Sequence, residues 1–507
     1  MRAYWLFTLV MRRLFVLGLI IGNCVGSGRA AEYRHISLED LRNVRLPEVA
    51  LESVKEAGAA EGKGQLKPHV ELTGIIGGHI RFELLLPDEW NGRFVMGGGG
   101  GFVGTVQNAA RYTVNLGYAT VGTDTGHQSA EGHMAGWALN DLEAKVNFGY
   151  LAVHRTAETA KALIRAYYTK EPERSYFIGC SRGGGQAMME AQRFPQDFDG
   201  IVAGAPAFDW TGLASTMVSI AKVLYPDPAH LETNVVTKEA LQKLQAGVLD
   251  QCDAQDGLKD GVIQDPAAAH FELAKVPGLT DEQRKAFESI YSGAHNGKGL
   301  IYPGFAPAAE CVPEQWIAWI TGPAPQLLAK DHVPDLTFAF GTQIYKYLIF
   351  NDPDWDYSKY DFSNFDKDTR LGASFLNANN PDLGRLKARN GKLIIWHGWA
   401  DPALPAQGTI NYYRHVMERD TQAAAYCRLF MVPGCLHCGG GPGASEVDWL
   451  TAIVDWVEHG QAPDKLIASK KENGKVTMTR PVYPYPKVAT YKGTGDVNSA
   501  DSFSVRP

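Results

Sequence analysis

Three side chains of the 507-residue chain have the types, order and settings for nucleophilic acyl transfer. Ser181 stands in Gly179-Cys180-Ser181-Arg182-Gly183, a G-x-S-x-G pattern. A serine hydroxyl is a poor nucleophile alone; it needs a base, and the base needs an acid to orient it. Downstream, Asp401 lies in His397-Gly398-Trp399-Ala400-Asp401-Pro402, and His437 in a glycine-rich run from Pro433 to Gly441. An ester carbonyl under attack also needs two backbone donors for its oxyanion. The N–H of Arg182, just after the serine, is one. The run Gly97–Gly101 can supply the other, with Gly100 as the candidate donor, because glycines let backbone approach a substrate closely. No Lys-Ser or Lys-Thr follows those glycines, which excludes a Walker phosphate loop.

Other histidines compete for the base. His397 precedes the acid and abuts its own strand, so a structural role is expected. His415 falls in a helix. His127, in Gly122-Thr123-Asp124-Thr125-Gly126-His127, is either a pocket residue or a hydrogen-bonded loop histidine.

These residues need elements to position them. Short apolar runs suit buried strands of a largely parallel sheet: 94–96, 119–122, 176–178, 200–203, 392–396 and 428–432. Amphipathic helices are expected over 143–168, 183–194, 408–417 and 446–458. The alternation argues an α/β fold. Ser181 falls between the strand at 176–178 and the helix from Gly183, where a sharp strained turn exposes Oγ. Asp401 and His437 each follow a later strand, so the chain order is Ser, Asp, His, the order of α/β-hydrolases.

Asp401 to His437 spans 36 residues, room for one helix and one strand, whereas Ser181 to Asp401 spans 220. The surplus reads as an inserted lid. The expected organisation is an export signal over 1–30, core over 31–210, lid over 211–390, and core plus a C-terminal wrap over 391–507. In the signal, Arg12 and Arg13 precede an apolar run, and small residues end at Ala30-Ala31. The protein is expected to be exported, to the periplasm or beyond, with no membrane attachment after cleavage. Sec export is preferred over the twin-arginine route.

Composition agrees. With 45% hydrophobic and 21% charged residues the chain is neither disordered nor fibrous. A net charge of −7 argues against a nucleic-acid partner. Export would place the seven cysteines in an oxidising compartment. Cys180 and Cys438 flank Ser181 and His437, so a formed triad would bring them close. The lone Cys435-x-x-Cys438 lacks a redox context.

The Cys-Ser pair, the later Asp, the His-Cys pair and the upstream Gly-Thr-Asp-Thr-Gly-His resemble the tannase and feruloyl esterase family of secreted serine esterases. Gly204-Ala205-Pro206-Ala207, Pro484-Tyr485-Pro486 and Tyr491-Lys492-Gly493 extend the resemblance from about Leu46 to the C-terminus. It implies an α/β-hydrolase with a substrate-binding lid, a Ser181–Asp401–His437 triad and a Cys180–Cys438 disulfide. The implied substrates are small esters of aromatic acids such as feruloyl, galloyl or terephthaloyl esters; a serine peptidase and a non-catalytic calcium-binding scaffold are the alternatives. The resemblance also implies a structural Ca2+ in the lid, held by Asp253, Asp256 and Asp260 with the carbonyls of Leu258 and Val262. Three carboxylates within eight residues suit a hard cation. Positions of further family disulfides are emptied: Tyr483 and Val505 at one pair, Val70 and a residue near His35 at another, and His270 opposite Cys252. Cys252 with Cys311, and Cys427 with Cys435, are alternative pairings. Trp316, Trp319, Phe350 and Trp355 are candidates to stack on an aromatic ring.

Overall fold

The structure is a computed structural model that describes residues 35–59, 65–308, 310 and 312–506. The expected signal over 1–30 lies outside the described residues. All six expected strands form, with ends shifted by at most two residues, and they join a nine-stranded sheet. An antiparallel meander opens it: β1 (Val49–Ala57), β2 (His69–Ile76) and β3 (Ile80–Pro87). Then come β4 (Arg93–Gly97), β5 (Ala119–Thr123), β6 (Arg174–Cys180) and β7 (Gly200–Gly204). The last two are β8 (Lys392–Gly398) and β9 (Cys427–Val432). The sheet order is β1-β2-β3-β5-β4-β6-β7-β8-β9. From β5 to β9 every neighbour is parallel. Parallel neighbours need crossovers, and helices on the faces of the sheet supply them.

Two crossovers bear on the site. Helix α1 (Ala152–Tyr168) links β5 to β6, and α2 (Arg182–Arg193) links β6 to β7. Residues 143–168 form the continuous helical segment their periodicity predicts, but with a π-turn inside it. A short α-helix, Leu142–Val146, passes into a π-turn, Asn147–Leu151, before α1. The wider turn loosens the regular backbone ladder, and the guanidinium of Arg182 takes the carbonyls of Phe148 and Gly149. A long-range contact thus meets the helix at the turn where its ladder widens.

The segment between β7 and β8 is largely helical. Its helix α3 (Trp210–Leu224) is N-capped by Asp209, whose side chain accepts from Gly212 N–H. Leu213, Met217, Tyr225, Leu244, Phe287, Trp316 and Phe338 build its core. That core is continuous with Phe102, Ala135 and Phe148 of the sheet-bearing part. Burial of large apolar side chains, each contributing about 1.5–3 kcal/mol, therefore seats the insertion on the loop after β4. Helix α4 (Ala406–Arg419) joins β8 to β9, and α5 (Trp449–His459) packs on β7 and β8. After α5 the chain forms two antiparallel strand pairs, within 466–482 and 488–506.

Candidate active site

Ser181 closes β6 and caps α2 at φ 63°, ψ −123°, the strained corner its pattern predicts. Its N–H donates to Gly204 O and its carbonyl accepts from Ala207 N–H, both at 3.0 Å, so the turn is tied to the end of β7. The glycine two residues before Ser181 is a steric necessity. A Cβ on Gly179 would stand 2.5 Å from the Gly183 backbone.

Asp401 follows β8 and is buried. Its Oδ1 accepts from Ala403 N–H at 2.8 Å and Leu404 N–H at 3.0 Å. Its Oδ2 accepts from His437 Nδ1 at 2.8 Å and from His397 Nε2 at 3.1 Å. Burial opposes ionisation here, but His437 and His397 together outweigh it and hold the carboxyl well below the usual carboxylate range. With Nδ1–H engaged by the carboxylate, Nε2 of His437 is free to act as a base.

A disulfide joins Cys180 to Cys438 with their Cα atoms 5.9 Å apart. It links the residue before Ser181 to the residue after His437, so the serine turn and the histidine loop are covalent neighbours. The alternative pairings do not form. Cys252 is a buried free thiol, while Cys311 lies outside the described residues. Cys427 and Cys435 are both buried and not joined to each other.

The glycine loop after β4 corrects one expectation. Gly100 N–H is spent on Gln107 Oε1 at 2.8 Å. Gly98 donates to Ile178 O at 2.9 Å, and Gly99 to Gln186 Oε1 at 3.1 Å. Gly101, at φ 56°, keeps an N–H with no acceptor among the described residues. A Cβ there would lie 2.3 Å from Gly132 O. The free donor is thus one residue beyond Gly100, because the two glutamines pin the preceding glycines. No sequence signal marked Gln107 or Gln186.

Arg182 has a role its motif does not disclose. The side chain is buried, and its Cζ lies 4.3 Å from the Phe148 ring centroid and 5.4 Å from that of Trp210. Carbonyls and aromatic faces hold it in place of a carboxylate, and burial pushes its pKa down to about 9.

The remaining histidines separate cleanly. His415 is exposed on α4. His127 is buried, stacks on Trp137 at 3.6 Å, and burial pushes it down to about 4, so it is neutral at ordinary pH. Of the four candidate stacking residues, Trp319 alone reaches the site; its ring lies 5.4 Å from that of His437, edge-on. Trp316 is fully buried in the insertion, and Phe350 and Trp355 pack against Tyr345 and Tyr360.

In the acidic loop, Asp253 accepts from Gly261 N–H, Asp256 from Leu258 N–H, and Asp260 from Val262 N–H. Asp260 also accepts from Arg480 at 2.9 Å. Among the described residues no three His, Cys, Asp or Glu side chains converge as a ready-made metal cage. The donor chemistry nevertheless suits a hard cation. Burial first, then the Asp260 and Asp253 carboxylates, push Asp256 up to about 6, a concentration of negative charge that a cation would relieve.

A parallel sheet with helical crossovers, a serine at a strand-to-helix corner and an Asp–His pair past later strands define an α/β-hydrolase. Comparison with known proteins narrows this. The family described as tannase and feruloyl esterase matches residues 72–505, and the chain belongs to it. It is 35% identical over 447 residues to a probable feruloyl esterase of Arthroderma benhamiae, covering 83% of this chain and 81% of the relative. It is 30% identical over 523 residues to the mono(2-hydroxyethyl) terephthalate hydrolase of Piscinibacter sakaiensis, covering 88% and 86%. The crystal structure of feruloyl esterase B from Aspergillus oryzae superposes with a TM-score of 0.81 at 25% identity, covering 93% of this chain and all of that one. The protein is therefore a carboxylic ester hydrolase, which displaces the peptidase and non-catalytic alternatives. Among the described residues no helix is long and apolar enough to cross a membrane.

Proposed function

We propose that the protein is an exported serine esterase that cleaves esters of aromatic acids through an acyl-enzyme on Ser181. The observation that carries this is the Cys180–Cys438 link, which fastens the Ser181 corner to the loop whose His437 is held by Asp401. His437 Nε2 takes the proton of Ser181 Oγ as the oxygen attacks the ester carbonyl. The N–H groups of Arg182 and Gly101 receive the oxyanion. His437 then protonates the leaving alcohol, and later activates the water that releases the acid. Asp401 fixes the tautomer of His437 and stabilises its cation throughout. Trp319, edge-on to His437, offers a wall for the aromatic acyl group.

Asp253, Asp256, Asp260 and the carbonyls of Leu258 and Val262 would hold a calcium ion, whose charge would neutralise the three carboxylates and stiffen the loop. This adds stability and takes no part in the chemistry.

The test is a panel of methyl ferulate, methyl gallate and mono(2-hydroxyethyl) terephthalate, with wild type and Ser181→Ala. Wild type should turn over at least one of them. Ser181→Ala should lose roughly a thousandfold or more in kcat with the fold intact. An active Ser181→Ala would sink the mechanism.

A further inference from the structure

We propose that His397 is a positioning residue for the Asp401–His437 pair, sharing Asp401 Oδ2 with His437 and moderating the pull of that carboxylate on the base. The proposal rests on the triad reading above.

His397 stands near the end of β8 and is 1% exposed. Its Nε2 faces Asp401 Oδ2 at 3.1 Å and Leu404 O at 3.2 Å. Its Nδ1 faces Thr409 Oγ1, on α4, at 2.8 Å. Neither a carbonyl nor an ionised carboxylate can donate, so Nε2 must carry a proton. Nδ1 then accepts from the Thr409 hydroxyl. All polar positions of the ring are used, and one tautomer satisfies all of them.

The consequence falls on Asp401. Its carboxylate has two backbone donors on Oδ1 and two imidazole donors on Oδ2. His437 and His397 are the titratable groups acting on it, one from the loop after β9 and one from β8. A buried carboxylate stripped of a donor would rotate or recruit water. With His397 present, its orientation towards His437 is fixed on three sides. Sharing Oδ2 also divides its charge between two rings. The pull of the carboxylate on His437 is then weaker than that of an unshared one.

The experiment measures kcat/KM against pH for a chromogenic aryl ester. His397→Leu removes the donor; the acid limb should move up by about 0.5–1 pH unit and the plateau should fall roughly tenfold. His397→Gln places an amide N–H where Nε2 stood, and should return the limb towards wild type. Thr409→Val keeps the imidazole but frees Nδ1, and should give a smaller shift in the same direction even if His397→Leu does not fold. An acid limb unmoved in Thr409→Val, or unmoved in a folded His397→Leu, overturns the proposal. So does His397→Gln displaced as far as His397→Leu. Ser181→Ala separates the two levels: an inactive Ser181→Ala with an unmoved limb refutes only the role of His397, whereas an active one refutes the triad itself.

Discussion

Cys180 and Cys438 are bonded across 258 residues of chain, and each is the covalent neighbour of a residue proposed to react. The link does two things. It removes loop-closure entropy from the unfolded chain, and it limits how far the serine corner and the histidine loop can separate. Replacing both cysteines with alanine should lower stability by about 5–6 kcal/mol on the loop-closure argument. Activity should fall further than folding alone explains, because the Ser181–His437 approach loses its tether. Thermal melts set beside kcat at a temperature where the variant is fully folded would check both.

Much of the arrangement was legible in the chain. Gly179 and Gly183 around Ser181, and a strand run ending before Asp401 and before His437, are local signals. Each is produced by the same steric and burial rules that shape the element. What escaped depends on contacts between distant segments. The π-turn at Asn147–Leu151 exists with Arg182 against it. Gly100 lost its expected role to Gln107, seven residues on but folded back. The antiparallel meander β1–β3 also escaped: β1 mostly alternates half-buried and exposed positions and β2 buried and half-buried ones, so neither reads as a solid apolar run.

Arg182 offers a second prediction. Its guanidinium satisfies the carbonyls of Phe148 and Gly149, and nothing else nearby donates to them from the side chains described. Arg182→Met keeps much of the volume over Phe148 but removes both hydrogen bonds to these helix carbonyls, each worth roughly 1.5–3 kcal/mol. Relief of the buried charge offsets part of this. The melting temperature should fall, and kcat should fall with it because the proposed oxyanion donor, Arg182 N–H, belongs to the same residue. An unchanged kcat would show that the corner holds its shape without the guanidinium anchor.

Calcium gives a prediction with a definite sign in pH. The Asp256 carboxyl is raised from 3.8 to about 6, burial being the main cause. A raised carboxyl contributes stability below its unfolded value, and that contribution is lost as pH rises through the folded value. The metal-free protein should therefore lose stability between about pH 4 and pH 6 at this loop. Calcium should restore it, and more strongly at pH 7.5 than at pH 5, where protons compete for the same oxygens. Differential scanning calorimetry with calcium or with a chelator at both pH values measures this. Asp256→Asn should flatten the pH dependence and abolish the calcium response. A melting temperature indifferent to calcium at pH 7.5 would remove the ion from the account.

Trp319 tests the acyl side of the site. It is half-buried, lies edge-on to His437, and stacks towards Phe340 at 6.4 Å, which in turn contacts Phe102 beside the glycine loop. These three rings form a connected aromatic chain from His437 to the glycine loop. An aromatic contact contributes about 0.5–1.5 kcal/mol beyond area burial, so Trp319→Ala should raise KM for a feruloyl ester by roughly threefold to tenfold. An acetyl ester of the same alcohol has no ring to lose and should change little. The discriminating quantity is the ratio of kcat/KM for the two esters, which cancels any general damage to the base. If the ratio is unchanged, the acyl ring binds elsewhere and Trp319 serves only to pack the lid against the histidine loop.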